Sequence, residues 1–193
     1  MPRVTALRVA RPGRVAVDLD GGAWRTLPVE VVLAARLEVG HELDRPRARA
    51  LRRELRRHEA LAVSAQALRH RDLSTRRLEQ RLEQRAVPPA ERAQAVEALT
   101  RAGLLDDERF ARGRAAALAA RGYGDVAIRF DLERQGVDVE LAADVVAKLE
   151  PERDRAARVA ASAGGGVRAA RVLARRGFGD DAIEAAAGVA QDG

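Results

Sequence analysis

The stretch LLDDERFARGRAAALAARGYGDVAIRFDLERQGVDVELAADVVAKL, residues 104–149, decides the fold. Its apolar residues recur at the three- and four-residue spacing of amphipathic helices, and two glycine-containing turns interrupt the pattern. Phe110, Ala111 and Leu118 belong to the first helical segment. Most other apolar residues are small and aliphatic, which suits closely packed helices. The stretch therefore predicts a compact unit of three helices.

Acidic residues mark the starts of these three segments. We expect the Asp106-Asp107 step to open the first helix, Asp125 to cap the second and Asp138 to cap the third, because a carboxylate accepts hydrogen bonds from the free N–H groups of a first helical turn. The cluster Asp106-Asp107-Glu108 also resembles a metal-binding group. Capping explains it without a metal.

The same pattern occurs three times along the chain. The intervals are 50 residues (78 to 128) and 41 residues (128 to 169), and the matching apolar pairs are Leu78 and Leu82, Ile128 and Leu132, and Ala169 and Leu173. Periods of this length are typical of stacked supersecondary units. The sequence predicts a mainly α protein, an elongated array of three tandem three-helix repeats at residues 46–103, 104–150 and 151–193. The third is short and contains a glycine break at 164–166.

Residues 1–45 differ from the rest and predict a small β-strand extension with a short helix. Segments 4–9, 14–19 and 23–27 read as strands, since the first two alternate with period two, and turns are expected at 11–13 and 20–22. A brief helix should follow from Pro28 to Leu37, with Gly40 ending it.

The first repeat begins with a long helix after Pro46. Its second helix should start at Ser74 or Thr75, and its third should run over 89–102 and end at Gly103. Spacings of three and four define the predicted buried face of the long helix, which consists of Leu51, Leu55, His58, Ala62, Ala65 and Leu68.

Composition excludes several classes of function. Cysteine is absent, which removes disulfides, thiolate nucleophiles and cysteine-ligated metals. The histidines His41, His58 and His70 lack ligand-like spacing, and the Gly-x-Gly turns at 122–124 and 177–179 lack the preceding strand of a phosphate-binding loop. The sequence predicts no enzyme, metal or cofactor. It also lacks a signal peptide and a membrane span, so we expect a soluble, unprocessed, monomeric cytoplasmic protein.

Positive charge is concentrated in one segment. Residues 46–101 hold 14 basic and 7 acidic side chains, an excess of +7, whereas the whole chain carries +6. Arginine binds phosphate and carboxylate groups in a bidentate way. Because aromatic side chains are missing there, base stacking is not expected. The predicted binding face consists of Arg52, Arg53, Arg56, Arg57, Arg76, Arg77 and Arg81.

These residues resemble a known family. The run from Leu104 to Ala111, followed by Arg121-Gly122, Ile128, Leu132 and Gly136-Val137, is similar to the central motif of the RecX family. The likeness extends to Arg176-Gly177-Phe178 and to Arg71-Asp72-Leu73-Ser74. Where the family commonly carries an aromatic residue one turn after Phe110, this chain has Arg114-Ala115. The motif residues expected to be structural are Asp106, Asp107, Phe110, Gly122, Ile128, Leu132 and Gly136.

The resemblance implies a regulator of the RecA recombinase in DNA repair, homologous recombination and the SOS response. It implies binding in the groove of the RecA filament on single-stranded DNA, with inhibition of ATP hydrolysis, strand exchange and co-protease activity. The sequence leaves open a stand-alone protein that binds single-stranded or duplex DNA and acts on recombination indirectly, by competing for DNA.

Overall fold

The computed structural model describes residues 1–69 and 72–188. His70 and Arg71 lie outside the described residues, so their predicted roles are not addressed. The elements in chain order are β1 (Val4–Arg11), β2 (Arg14–Leu19), β3 (Gly22–Pro28), α1 (Val29–Ala34), α2 (Arg45–Leu68), α3 (Thr75–Gln84), α4 (Pro89–Arg101), α5 (Asp107–Ala120), α6 (Asp125–Gln135), α7 (Val139–Ala147), α8 (Glu152–Ala163), α9 (Gly166–Arg175) and α10 (Asp180–Gly188). This confirms the predicted mainly α class with an amino-terminal sheet.

The three strands form an antiparallel meander in the order β1-β2-β3. In β1 and β2, Leu7 pairs with Val17 and Val9 with Val15, and one face of the sheet packs with α1 and the start of α2 around Leu27. The β2–β3 register shifts after Val17, where β3 bulges. Helix α1 is shorter than predicted.

The second and third helical trios each enclose a small core. Helices α5, α6 and α7 bury Phe110, Ile128 and Leu132 together. Helices α8, α9 and α10 bury Ala169, Leu173 and Phe178. The apolar pairs of α6 and α9 predicted from the repeat spacing are therefore buried in the cores of their trios. Leu78 and Leu82 of α3 are likewise fully buried.

Two details of the helices differ from the prediction. Gly124, not Asp125, is the N-cap of α6, because Asp125 already has helical geometry and its backbone N–H is bound by a distant carboxylate. On α2 the predicted face is wrong at Ala62 and Ala65, which are exposed. The buried residues are instead Leu51 in the first half of the helix and, on the opposite side of its second half, Ala60, Ser64 and Ala67. The middle of α2 is rich in small residues, so apolar spacing alone does not distinguish its faces.

The contacts divide the described chain into two compact units. The first holds residues 1–69 together with 81–98, and the second holds 72–80 together with 99–188. Among the described residues, none of the helices combines the length and apolar character that crossing a bilayer requires.

Candidate functional site

Helix α2 carries the basic surface of the first unit. Its start is fixed by Asp44, whose side chain accepts the backbone N–H of Arg47 at 2.8 Å, and by a proline in the first turn. Among residues 45–56 of this helix only Leu51 is buried, so the side that faces away from Leu51 remains in solvent. Any charged residues on that side are available to a partner.

The exposed side of α2 is lined by arginines. Arg45, Arg49, Arg52 and Arg56 follow one another at i, i+4, i+7 and i+11, so they share one face of a helix that turns about 100° per residue. We define the α2 arginine face as this stripe with its flanking neighbours: Arg45, Arg49, Arg52, Arg53, Arg56 and Arg57, all exposed. Sequence reasoning missed Arg45 and Arg49, although extending the same spacing toward the start of the helix would have found them.

Most of this face has no acidic partner. Arg56 lies 3.7 Å from the carboxylate of Glu91, and Arg57 lies 4.0 Å from Glu54. Within the described part of the chain, Arg45, Arg49, Arg52 and Arg53 form neither an ion pair nor a side-chain hydrogen bond. The Arg57–Glu54 pair is long and partly exposed, and such pairs are worth less than about 1 kcal/mol, so Arg57 can exchange its partner for a phosphate or carboxylate. Glu91 is buried, so Arg56 also serves as the counter-ion of that carboxylate.

Arg81 lies in a different setting. It is half-buried and lines a depression of about 330 Å³ on the first unit, together with Arg85, Gln84 and Gln66. Two guanidinium groups and two amides supply several hydrogen-bond donors at one place. The depression can therefore bind an anionic group.

Arg76 and Arg77 make contacts within the second unit. Arg77 donates from Nε to the Gln135 side chain at 2.9 Å and from Nη1 to Gln80 at 3.2 Å. The aliphatic part of Arg76 packs on Gly136, where an added Cβ would lie 2.4 Å from Arg76 Cδ. Sequence reasoning grouped both with the binding arginines, because contacts that span about sixty residues leave no local pattern.

The motif residues of the second trio hold helix ends and the core. The Asp106 side chain accepts the backbone N–H of Arg109 at 2.9 Å, as predicted for a cap, and this bond lowers the pKa of Asp106. Gly122 and Gly136 have φ of +79° and +88°, the left-handed conformation that glycine adopts most easily. Phe110, Ile128 and Leu132 lie in the core that α5, α6 and α7 enclose.

Asp107 ties the second trio to the start of α3. Its carboxylate accepts the backbone N–H of Thr75 at 2.7 Å. Beside this bond, the Ser74 hydroxyl accepts the N–H of Arg77 at 3.2 Å and donates to the backbone carbonyl of Gln135. Of the two residues predicted to begin α3, Ser74 is the one whose side chain accepts from the first turn.

An equivalent junction joins the second and third trios. Glu152 accepts the N–H of Asp125 at 2.6 Å and that of Gly179 at 3.3 Å. The Gly124 N–H donates to the carbonyl of Arg176 at 2.9 Å. The buried Arg155 guanidinium donates to the Asp125 carboxylate and to two backbone carbonyls. The two Gly-x-Gly turns therefore pack on each other, and their role in this structure is to join helices.

Arg114, where this chain departs from the family motif, has a partner of its own. Its Nη2 donates to Asp131 Oδ1 at 3.0 Å, and its Nε donates to the other oxygen of the same carboxylate. This hydrogen bonding lowers the pKa of Asp131 and raises that of Arg114. The neighbouring Ala115 is fully buried in the core of the second trio. An α5–α6 ion pair thus lies at the position where the sequence was expected to depart from the motif that it resembles.

The described residues contain no cluster of histidine and carboxylate side chains able to hold a metal ion. His41 lies 3.5 Å from Glu38, and His58 is half-buried on α2. Within the described residues, the α2 arginine face combines four exposed guanidinium groups that have no acidic partner on one helix, an arrangement suited to an extended anionic partner.

The family model and the proteins that are similar to this chain in sequence carry the same family name. Residues 106–146 match the family model of the second three-helix domain of RecX. The chain is 35% identical over 144 residues to the Regulatory protein RecX of Halorhodospira halophila, covering 68% of this chain and 89% of that protein. It is 34% identical over 102 residues to the Regulatory protein RecX of Mycolicibacterium smegmatis, covering 52% and 54%.

Solved structures show the same fold. A crystal structure of regulatory protein RecX superposes with a TM-score of 0.81 over 100% of both chains, at 18% identity. The crystal structure of RecX from Lactobacillus salivarius superposes with a TM-score of 0.65, covering 70% of this chain and 97% of that one, at 14% identity.

Proposed function

Because this chain belongs to the RecX family of regulatory proteins, we propose that it regulates the RecA recombinase by binding along the RecA filament on single-stranded DNA. In this proposal the protein acts in the cytoplasm as a non-catalytic monomer. By occupying the filament groove it obstructs homologous duplex DNA, slows ATP hydrolysis and reduces co-protease activity. These effects adjust homologous recombination, DNA repair and the SOS response.

The observation that carries the proposal is the α2 arginine face. Four guanidinium groups that have no acidic partner among the described residues project from one helix, and two more have only long ion pairs. A regulator of a nucleoprotein filament needs a surface that binds phosphates or acidic protein groups along a regular track. Arginines repeated on a rigid helix fit that requirement better than scattered cations would, because their spacing is fixed before binding.

The seven arginines predicted from the sequence have different parts in this proposal. Arg52, Arg53, Arg56 and Arg57 contact the filament directly, and Arg45 and Arg49 extend the surface. Arg81 contributes through the depression beside α3. Arg76 and Arg77, in the second unit, are kept as proposed filament contacts, each through the N–H groups that its contacts within that unit do not use.

Titration of ATP hydrolysis tests the filament proposal. RecA is assembled on single-stranded DNA, and its ATP hydrolysis is measured while this protein is added below equimolar amounts. We expect strong inhibition well before one molecule per RecA protomer is reached, since one bound regulator affects several neighbours in a filament. Inhibition only at equimolar amounts or above would indicate action on free subunits and would contradict the proposal.

The stand-alone DNA-binding alternative is distinguished by a second measurement. The same uncompensated arginines that fit a filament would also attract bare DNA. Binding to single-stranded and duplex DNA is measured at physiological salt with and without RecA. We expect the affinity for the RecA-coated strand to exceed that for the bare strand, whereas equal affinities would favour the alternative.

A further inference from the structure

The outer strand of the amino-terminal sheet exposes an aromatic side chain. Strand β3 lies at the edge of the three-stranded sheet, and its residues Gly22–Thr26 are all exposed. Among them is Trp24, the single tryptophan of the chain, with 41% of its surface accessible. Large aromatic side chains bury 150–250 Å² when they are packed, so an accessible tryptophan on a short strand is a ready contact surface.

A cation accompanies this ring. The guanidinium carbon of Arg25 lies 5.9 Å from the centre of the Trp24 ring, within the range of a cation–π contact. Within the described part of the chain Arg25 has no acidic partner, so its charge is not neutralised by the protein. An aromatic surface and an available positive charge therefore occupy adjacent positions on β3.

The charges of the rest of the sheet favour an anionic ligand. Residues 1–28 contain five arginines and two aspartates. Asp18 is buried and paired with Arg8 at 2.5 Å, and Asp20 accepts the backbone N–H of Arg3 at 2.8 Å. Asp18 is thus paired through one of its oxygens and Asp20 is bound within the sheet, whereas Arg11, Arg14 and Arg25 have no acidic partner among the described residues.

We propose that the exposed edge of β3 binds single-stranded nucleic acid, with Trp24 stacking on an unpaired base and Arg25 contacting an adjacent phosphate. A strand with unpaired bases matches both features, because it offers an aromatic face and a negative charge at every nucleotide. In a duplex the bases are stacked on each other and cannot cover the ring. This site is on a different element from the α2 arginine face and does not depend on the filament proposal.

Because Trp24 is the single tryptophan, its fluorescence reports this site without a label. The protein, with no RecA present, is titrated with a short oligothymidine and with a blunt duplex of equal length. We expect saturable quenching by the single strand and little quenching by the duplex. If a fluorescently labelled oligothymidine binds, as judged by its anisotropy, while Trp24 emission is unchanged, the proposal is overturned.

Variants then test whether the ring and the cation contribute to affinity. Trp24→Ala should weaken oligothymidine binding about fivefold or more, and Trp24→Phe should stay within about threefold of the wild type, because phenylalanine can still stack. Arg25→Gln keeps the fluorophore and should weaken binding and reduce its salt dependence. Phe130→Ala, which removes another exposed aromatic side chain, is the matched control and should bind as the wild type does.

The outcome separates this proposal from the previous one. Unchanged affinity in both Trp24→Ala and Arg25→Gln would overturn the β3 site. That result would leave inhibition of RecA by the wild-type protein untouched, since the titration contains no recombinase. A Trp24→Ala protein that loses its sheet would be recognised by circular dichroism, and Arg25→Gln then decides the question.

Discussion

The carboxylate of Glu152, the first residue of α8, accepts the backbone N–H of Asp125, the first residue of α6, at 2.6 Å. Fifty residues before Asp125, the N–H of Thr75 at the start of α3 is bound at 2.7 Å by Asp107, the first residue of α5. In both places, the acid that opens one trio holds the second helix of the trio before it. The sequence repeat is thus matched by a repeated hydrogen bond.

Removal of the Glu152 carboxylate should destabilise the second unit. Glu152→Ala leaves the N–H groups of Asp125 and Gly179 without their acceptor, and we expect the free energy of unfolding to fall by about 1–3 kcal/mol. Chemical unfolding followed by circular dichroism measures the change. Glu133→Ala is the control, because Glu133 is exposed on α6 and has no ion pair with any described residue, and it should change stability by less than about 0.5 kcal/mol. Equal effects of the two substitutions would contradict the assigned role.

Two glycines should respond to alanine in opposite directions. At Gly124 a Cβ would lie 2.2 Å from the carbonyl oxygen of Gly177 and 2.3 Å from the Phe178 backbone, and backbone atoms cannot rotate away. Gly124→Ala should therefore cost about 3 kcal/mol or more. At Gly113, within α5, nothing lies within 4 Å, so Gly113→Ala should stabilise by about 0.5–1 kcal/mol. Thermal unfolding of both variants checks the pair, and a stable Gly124→Ala protein would show that the two turns do not pack closely.

The Arg114–Asp131 pair should make stability depend on acid pH. Hydrogen bonding from Arg114 holds the pKa of Asp131 below its ordinary value of 3.8. This contribution is therefore complete above that unfolded-state value, and it is lost as pH falls through the lower folded-state pKa. Asp131→Asn should lower stability near neutral pH, and its difference from the wild type should shrink on acidification. Unfolding measured from neutral to strongly acid pH tests this, with Glu133→Gln as a control expected to show no such convergence.

The helices and the core of the repeats were predictable because they depend on local spacing. Leu78, Ile128 and Leu173 were assigned to the interior from periodicity alone, and all three are fully buried. The bonds between trios were not predictable, since Thr75 and Asp107 lie 32 residues apart and neither residue type reveals its partner. The predicted buried face was wrong in the middle of α2 for another reason. The many small residues there make several sides of the helix equally apolar.

For the candidate site, the sequence indicated which helix carries the arginines, but not which guanidinium groups already have partners within the protein. The exposure of Arg52 and Arg53 followed from their position opposite Leu51. The engagement of Arg77 with Gln135, 58 residues away, required coordinates. Trp24 was recognised as a strand residue. Its exposure depends on how β3 pairs with β2 at the edge of the sheet, and the local alternation of apolar and polar residues does not determine that pairing.

Removal of two charges from the α2 arginine face should weaken binding in a salt-dependent way. Arg49→Gln with Arg52→Gln removes two guanidinium groups that have no partner in the part of the chain that the structure describes, so folding should be unaffected. If both contact phosphates, the slope of log affinity against log salt for the RecA filament should fall by about 1.4, or 0.7 for each contact on a single strand. Binding is measured by anisotropy of labelled filament at several salt concentrations. The matched control, Arg129→Gln with Arg171→Gln, removes the same net charge from α6 and α9 at two exposed arginines that likewise have no ion pair among the described residues. A purely nonspecific attraction would weaken both variants equally, whereas a filament contact through α2 weakens only the first.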